Sequence, residues 1–202
     1  MKGFLKKDLY LTIGYCRSIF LIVIVFMVVA CAQRDNFFFL FYPAILVSLI
    51  AVSLFSYDER ENFCSYAATM PQSRAAYVSA KYVISLLYGL ICAVLTCFLQ
   101  VVLCGNYAGS DALFIFAVMV LLVLFTPAIT MPFMFRFGVE KGRFAYYIMI
   151  GVSSALAILI GSHGVFDGFG GSLPFVLLIF AAFVLFAVSW YLSVTFYKKR
   201  EF

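Results

Sequence analysis

Charged residues are scarce in this sequence: only 11% of its 202 residues are Asp, Glu, Lys or Arg, whereas 66% are hydrophobic. That balance excludes an ordinary soluble domain. The charges separate six uncharged stretches, which are Ser18–Gln33, Asn36–Tyr57, Tyr82–Ser110, Ala112–Phe135, Phe144–Phe166 and Gly168–Tyr197. The longer ones reach the roughly 20 residues that a helix needs to cross a membrane, and the first does so if Arg17 extends its side chain to the surface. We predict an all-α polytopic membrane protein of six transmembrane helices in a single domain, residues 1–202.

Catalytic and nucleotide-binding groups are scarce as well. The sequence contains no G-x-x-x-x-G-K-[ST] motif, so we expect this chain itself to bind no ATP. Its one histidine, His163, lies four residues before Asp167, and two ligands make only a weak metal hypothesis. No charged residue lies deep inside a predicted span, which argues against a pump that relays protons through the bilayer. We expect no catalytic, cofactor or metal site and no enzymatic activity in this chain.

Lysine and arginine are distributed unevenly between the two sides of the predicted spans. If the N-terminus is cytoplasmic, all of the 14 Lys and Arg residues except Arg34 fall on the cytoplasmic side. Loops rich in Lys and Arg stay inside the cell, so we predict that both termini are cytoplasmic. The same bias accounts for the net charge of +5, and we expect no nucleic-acid partner.

The longest polar interruption is Tyr57–Lys81, which holds six of the chain's charged residues. Apolar residues at i, i+3, i+4 and i+7 predict one face of a short helix there, and they are Phe63, Tyr66, Ala67 and Met70. The polar residues away from that face are Asp58, Glu59, Asn62, Ser65 and Thr69. Pro71 ends this helix, and Ser73 is a candidate N-cap for a second helix with Arg74 in its first turn. A short helix with one apolar face just outside a membrane indicates a docking surface for a partner protein.

Other patterns leave alternatives open. Met1–Tyr15 mixes basic and apolar residues, so it is either a helix along the inner membrane surface or a plain basic flank. Pro127 and Pro132 predict a kink in the fourth span, which is either structural or part of a bending helix that lines a cavity. Arg136–Arg143 predicts a tight turn. A ridge of small residues predicts close helix contact within the subunit or between two subunits, and its members are Ser153, Ala157 and Gly161.

Three segments resemble a known family. MKGFLKKDLY, SYDERENFCSYAATMPQSRAAYVSAKY and FGVEKGR are similar to the small six-span permeases of the type-2 ABC exporter family, in particular those of the phenol-soluble modulin exporter type. The resemblance covers the full chain, and the loop with its DER, P-x-S-R and Lys81 pattern is its most specific part. It implies a permease that pairs with a second permease chain, as a homodimer or a heterodimer, and with two separate ATPase subunits that bind ATP and Mg.

The resemblance also implies roles for individual residues of the polar loop. Asp58, Glu59 and Glu61 correspond to an acidic helix, and the coupling helix that sits in a cleft of the ATPase includes Pro71, Ser73, Arg74 and Tyr77. With the apolar face added, the predicted ATPase-coupling residues are Asp58, Glu59, Glu61, Phe63, Tyr66, Met70, Pro71, Ser73, Arg74 and Tyr77.

We therefore expect the membrane subunit of an ATP-driven exporter in the bacterial plasma membrane. The abundance of aromatic side chains, with 25 Phe and 13 Tyr, favours small amphipathic or antimicrobial peptides as cargo. Two other classes stay open at this point. One is a partner-dependent substrate-binding subunit of a vitamin-uptake system, and the other is a non-transporting membrane scaffold or immunity protein.

Overall fold

The computed structural model describes residues 2–32, 37–48, 50–69, 73–103, 110–162 and 172–199. Every regular element within these ranges is helical, which confirms the predicted all-α class for the described residues. The helices are α1 (Lys2–Tyr15), α2 (Arg17–Ala32), α3 (Phe37–Ser48), α4 (Ile50–Arg60), α5 (Phe63–Thr69), α6 (Arg74–Phe98), α7 (Ser110–Ser162) and α8 (Ser172–Lys199), and a π-helical turn at Leu99–Leu103 extends α6.

Several of these helices are long and apolar enough to cross a membrane. The described residues contain four such helices, Phe41–Arg60, Arg74–Val102, Ile115–Val139 and Ile179–Lys199. A fifth span is present if α1 and α2, which meet at 68°, count together. The chain is thus a multi-pass membrane protein by length and composition, and the predicted number of six spans stays a prediction. The side chains of the small-residue ridge in the predicted fifth span are not among those that the structure describes. His163 and Asp167 also lie outside the described residues.

Helix α7 changes direction at a glycine. Gly138 has φ 80° and ψ 177°, a backbone conformation that only glycine adopts without strain, and it interrupts an otherwise helical run. This break lies inside Arg136–Arg143 and agrees with the predicted tight turn. Pro127 and Pro132 both lie within α7 before the break, and the non-helical backbone is at Gly138.

The helices pack around aromatic side chains at the end of the bundle that carries α5. Phe55 of α4 meets Phe135 of α7 edge to face at 4.8 Å between ring centroids, and Tyr77 of α6 stacks on Tyr197 of α8 at 5.2 Å. All four rings are buried, and large buried aromatic rings contribute strongly to core stability. This aromatic layer fixes where α4, α6, α7 and α8 meet.

A glycine of α6 packs directly against a side chain of α7. A Cβ atom on Gly89 would collide with the side chain of Val123, with Cγ2 at 3.0 Å, and would also lie 3.1 Å from Ser48 Oγ. A small residue here lets three helices come together, because backbone and side chain touch directly. By contrast, α2 and α8 expose large apolar side chains, as expected of surfaces that face lipid; among them are Leu21, Val25, Val28, Phe180, Phe183 and Leu185.

Candidate functional site

The predicted short helix is present as α5. The chain leaves α4 at Arg60 and reverses at Asn62, whose φ of 54° lies in the left-handed region that asparagine tolerates better than most residues. Helix α5 then runs from Phe63 to Thr69. Met70, predicted as the last residue of its apolar face, and Pro71, predicted to end it, both lie outside the described residues.

The predicted apolar face of α5 does not lie on one side of the helix in the structure. Cys64 and Ala67 are 4% and 7% exposed, whereas Tyr66 is 60% exposed. Cys64 Sγ lies 3.8 Å from the hydroxyl of Tyr77, and Phe63 packs edge to face against Phe4 at 6.4 Å. Ala67 and Tyr66 were predicted to share one apolar docking surface, but Ala67 is buried beside Cys64 whereas Tyr66 points outward, so the predicted surface is divided between the interior and the exterior.

Ser73 caps the next helix as predicted. Its backbone is extended, with φ −65° and ψ 141°, and its hydroxyl accepts a hydrogen bond from the Ala76 N–H at 3.3 Å. Arg74 follows in the first turn and is exposed. Its guanidinium donates to the carbonyl oxygen of Lys198 at 2.9 Å, near the end of α8. The start of α6 is thereby held against the end of the last helix.

Four charged side chains form a closed, buried arrangement beside α5, which we call the charge ring: Lys7, Asp8, Asp58 and Lys81. Lys81 Nζ lies 2.9 Å from Asp8 Oδ2 and 2.6 Å from Asp58 Oδ2. Lys7 Nζ lies 2.6 Å from Asp58 Oδ1 and 3.3 Å from Asp8 Oδ1. Each cation thus contacts both anions, and the two positive and two negative charges sum to zero.

The charge ring is held deep in the protein. The side chains of Asp8, Asp58 and Lys81 are 1%, 3% and 0% exposed, and that of Lys7 is 25% exposed. Charges are buried at acceptable cost only when each one is paired, and the alternating arrangement pairs all four. It connects three helices: α1 contributes Lys7 and Asp8, α4 contributes Asp58, and α6 contributes Lys81.

This arrangement corrects the predicted bounds of the polar loop. Asp58 lies within α4 and Lys81 within α6, so the non-helical connections are confined between Arg60 and Arg74. Asp58, which the resemblance places in an acidic helix among the ATPase-coupling residues, is instead buried. Its burial follows from helical spacing, because Leu54, Phe55 and Asp58 share the inward face of α4. The sequence shows that spacing, and it also shows that Lys81 lies on the apolar face of α6. It does not show that Asp8 is the partner of these residues.

Tyr77 is also interior. It is 2% exposed, and its hydroxyl donates to Asp58 Oδ2 at 2.7 Å. Phe4 of α1 meets its ring edge to face at 5.7 Å. The implied role of Tyr77 at an ATPase surface is therefore replaced by one inside the helical bundle, where it supports the charge ring.

Glu59 links α4 to the break in α7. Its Oε2 accepts a hydrogen bond from the Val139 N–H at 2.7 Å, directly after Gly138. A carboxylate is favourable at this position because the first N–H groups of a helix carry partial positive charge. The end of α4 therefore contacts α1 and α6 through Asp58 and α7 through Glu59.

An outward surface remains around α5, which we call the docking face: Glu61, Tyr66, Ser73 and Arg74. All four are exposed. They lie between the ends of α4 and α6, a few residues from the charge ring in sequence. An acidic, an aromatic and a basic side chain on one short segment suit recognition of a protein surface.

A comparison with family models now identifies the chain. The model described as ABC-2 family transporter protein matches residues 3–198. The chain belongs to the ABC-2 transporter family. Membership makes it a membrane component of an ABC transporter, which works with an ATPase partner. The match is at the level of this family and does not single out the phenol-soluble modulin exporters. No curated protein and no solved structure matches the chain.

Proposed function

We propose that this ABC-2 protein is the permease subunit of an ATP-driven exporter in the bacterial plasma membrane, with six spans and both termini cytoplasmic. Two permease chains and two ATPase subunits form the working assembly. ATP and Mg bind to the ATPase subunits, and this chain contributes the path for cargo. The observation that carries the proposal is the family match over nearly the whole chain, together with α5 held at one end of the bundle with an exposed outer side.

The docking face is where the ATPase binds in this proposal. Tyr66 is the aromatic anchor, since it is 60% exposed on a helix whose other side is buried. Arg74 supplies a cation at the start of α6. When nucleotide closes the ATPase subunits, α5 is displaced, and the helices packed against its inner side move with it.

The cargo in this proposal is a small amphipathic peptide. A cleft of about 960 Å³ lies between α2, α4 and the break in α7. Its lining combines hydroxyl-bearing, charged and apolar side chains, including Tyr15, Ser53, Ser56, Tyr57, Glu59, Arg60, Ile19, Val52 and Phe137. Such a lining supports a ligand with both polar and apolar sides better than it supports a sugar or an inorganic ion.

The test is co-purification with the genomically adjacent ATPase in detergent. Tyr66→Asp is the informative variant. A change at Phe63 would be less informative, because Phe63 packs against Phe4 and Tyr77, and an acidic residue at position 63 would disturb the interior. Loss of a central tyrosine costs about 2 kcal/mol, which is roughly thirtyfold in affinity. Lys141→Asp is the matched control, because Lys141 is exposed and is not part of the docking face.

Two outcomes are decisive for the docking face. Wild type and the Lys141 variant should retain the ATPase while Tyr66→Asp, still folded, loses it. Equal retention by all three would show that the ATPase binds elsewhere. ATP-dependent uptake of a labelled amphipathic peptide into inverted vesicles tests export itself, and its absence with an intact complex would reject the exporter proposal.

A further inference from the structure

Lys7 differs from the other members of the charge ring in its exposure to solvent. The other three members are almost fully buried, and Lys7 is a quarter exposed. Its ammonium lies 3.6 Å from the centre of the Phe63 ring, a cation–π contact. Phe63 is the first residue of α5. Lys7 is therefore the ring member that touches the helix bearing the docking face.

The two oxygens of Asp58 are held by different groups. Oδ2 receives Lys81 at 2.6 Å and the Tyr77 hydroxyl at 2.7 Å, and both of these partners come from α6. Oδ1 receives Lys7 at 2.6 Å. Oδ1 of Asp58 is thus held by Lys7 of α1, whereas Oδ2 is held by two side chains of α6. Helix α5 contacts both sets of partners, Lys7 through Phe63 and Tyr77 through Cys64.

Movement of α5 reaches Lys7 directly through Phe63. If α5 shifts and Phe63 moves away, Lys7 loses the face of an aromatic ring and keeps only its carboxylate contacts. Because a buried ion pair is sensitive to small changes in distance and solvation, such a shift alters the balance of the ring. A cleft lies beside the ammonium, lined by Lys7, Leu11, Asp58 and Phe63 and also by Arg60 and Glu61.

We propose that Lys7 is a positioning residue that connects α5 to the charge ring, so that displacement of the docking face is passed to α1, α4 and α6 together. This inference rests on the proposed exporter function. In this role the first helix is a moving part of the transmission, and Lys7 acts through Phe63 without touching cargo or nucleotide.

The test uses the permease reconstituted with its ATPase in lipid vesicles. We compare Lys7→Met, Lys7→Arg and Phe63→Leu, with Lys6→Met as control because Lys6 is the exposed neighbour outside the ring. Lys7→Met should keep the complex and its ATPase rate within about twofold but lower the cargo moved per ATP at least fivefold. Lys7→Arg should retain most transport, because arginine keeps both the charge and the stacking on Phe63.

A double-variant comparison tests the contact itself. Phe63→Leu should lower transport per ATP as Lys7→Met does, and the two together should be no worse than either one. The same non-additivity should appear in the melting temperature of the isolated permease. If Lys7→Met alone does not fold, Lys7→Gln with Asp58→Asn keeps the ring neutral and takes its place.

Several results would overturn this inference. Unchanged transport per ATP in Lys7→Met would do so, and so would an equal loss in Lys6→Met, which would assign the effect to total N-terminal charge. Additive melting shifts for Lys7→Met and Phe63→Leu would show that the two side chains are not coupled. Failure of the proposed function is distinguishable, because then the wild-type complex itself would move no cargo while the melting comparison would still report on the contact.

Discussion

Removal of Lys81 from the charge ring is the sharpest perturbation that this structure offers. Lys81 is 0% exposed and contacts both Asp8 and Asp58. Lys81→Met keeps the length of the side chain but leaves two buried carboxylates with a single lysine. Breaking a buried ion pair in this way costs about 3–5 kcal/mol. For a chain of this size the melting temperature should fall by roughly 6–20 °C.

A compensating change separates charge balance from packing. Lys81→Met combined with Asp8→Leu leaves the pair Lys7 and Asp58, which is neutral, so we expect the double variant to recover at least half of the lost stability. Replacing a complete buried pair by apolar groups of similar size is often neutral.

The assay is thermal unfolding of the purified protein, followed by intrinsic fluorescence. Lys141→Met, at an exposed lysine, is the control and should shift stability by less than about 0.5 kcal/mol. The reasoning about the charge ring is refuted if Lys81→Met melts within about 2 °C of the wild type, well below the shift expected from a broken buried pair. It is also refuted if the double variant is as unstable as the sum of its single changes.

Further predictions concern backbone and packing. Gly138→Ala should destabilise the protein by about 1–3 kcal/mol, because its φ of 80° and ψ of 177° suit only glycine; Gly151→Ala, where an added Cβ meets nothing within 4 Å, should be neutral or stabilising in the same thermal assay. Gly89→Ala should cost about 1–3 kcal/mol through overlap with Val123, and an unchanged melting temperature would mean that α6 and α7 separate freely. Ser73→Ala should cost about 1 kcal/mol through loss of the N-cap, whereas Ser73→Asp should restore it.

The charge ring bears on how the chain can respond to a partner. Three helices meet at a neutral set of four charges, and the helix that carries the docking face touches that set through Lys7. Glu59 extends the same junction to α7 by accepting from the Val139 N–H. In the proposed mechanism, displacement of α5 therefore has a route through side-chain contacts into α1, α4, α6 and α7.

Local properties of this chain could be read from its sequence. Low charge and long apolar stretches predict membrane helices, because the hydrocarbon core admits little else. Ser73 as an N-cap and the turn within Arg136–Arg143 follow from the backbone preferences of a few neighbouring residues, and both agree with the structure. The position of α5 also follows from local signals, since a charged break with an apolar helical repeat is a short-range pattern.

Tertiary structure decided which side of each element faces inward and which charges meet. The inward face of α5 is set by Cys64 against Tyr77, so Ala67, predicted to share one docking surface with Tyr66, is buried while Tyr66 is exposed. From the sequence, Asp58 and Lys81 were placed in a polar loop. In the structure, α1 places Asp8 and Lys7 against them, and the four charges are paired. The physical reason is that a buried charge is stable only beside its opposite. Asp8 and Lys81 are 73 residues apart in sequence, a distance that no local pattern spans.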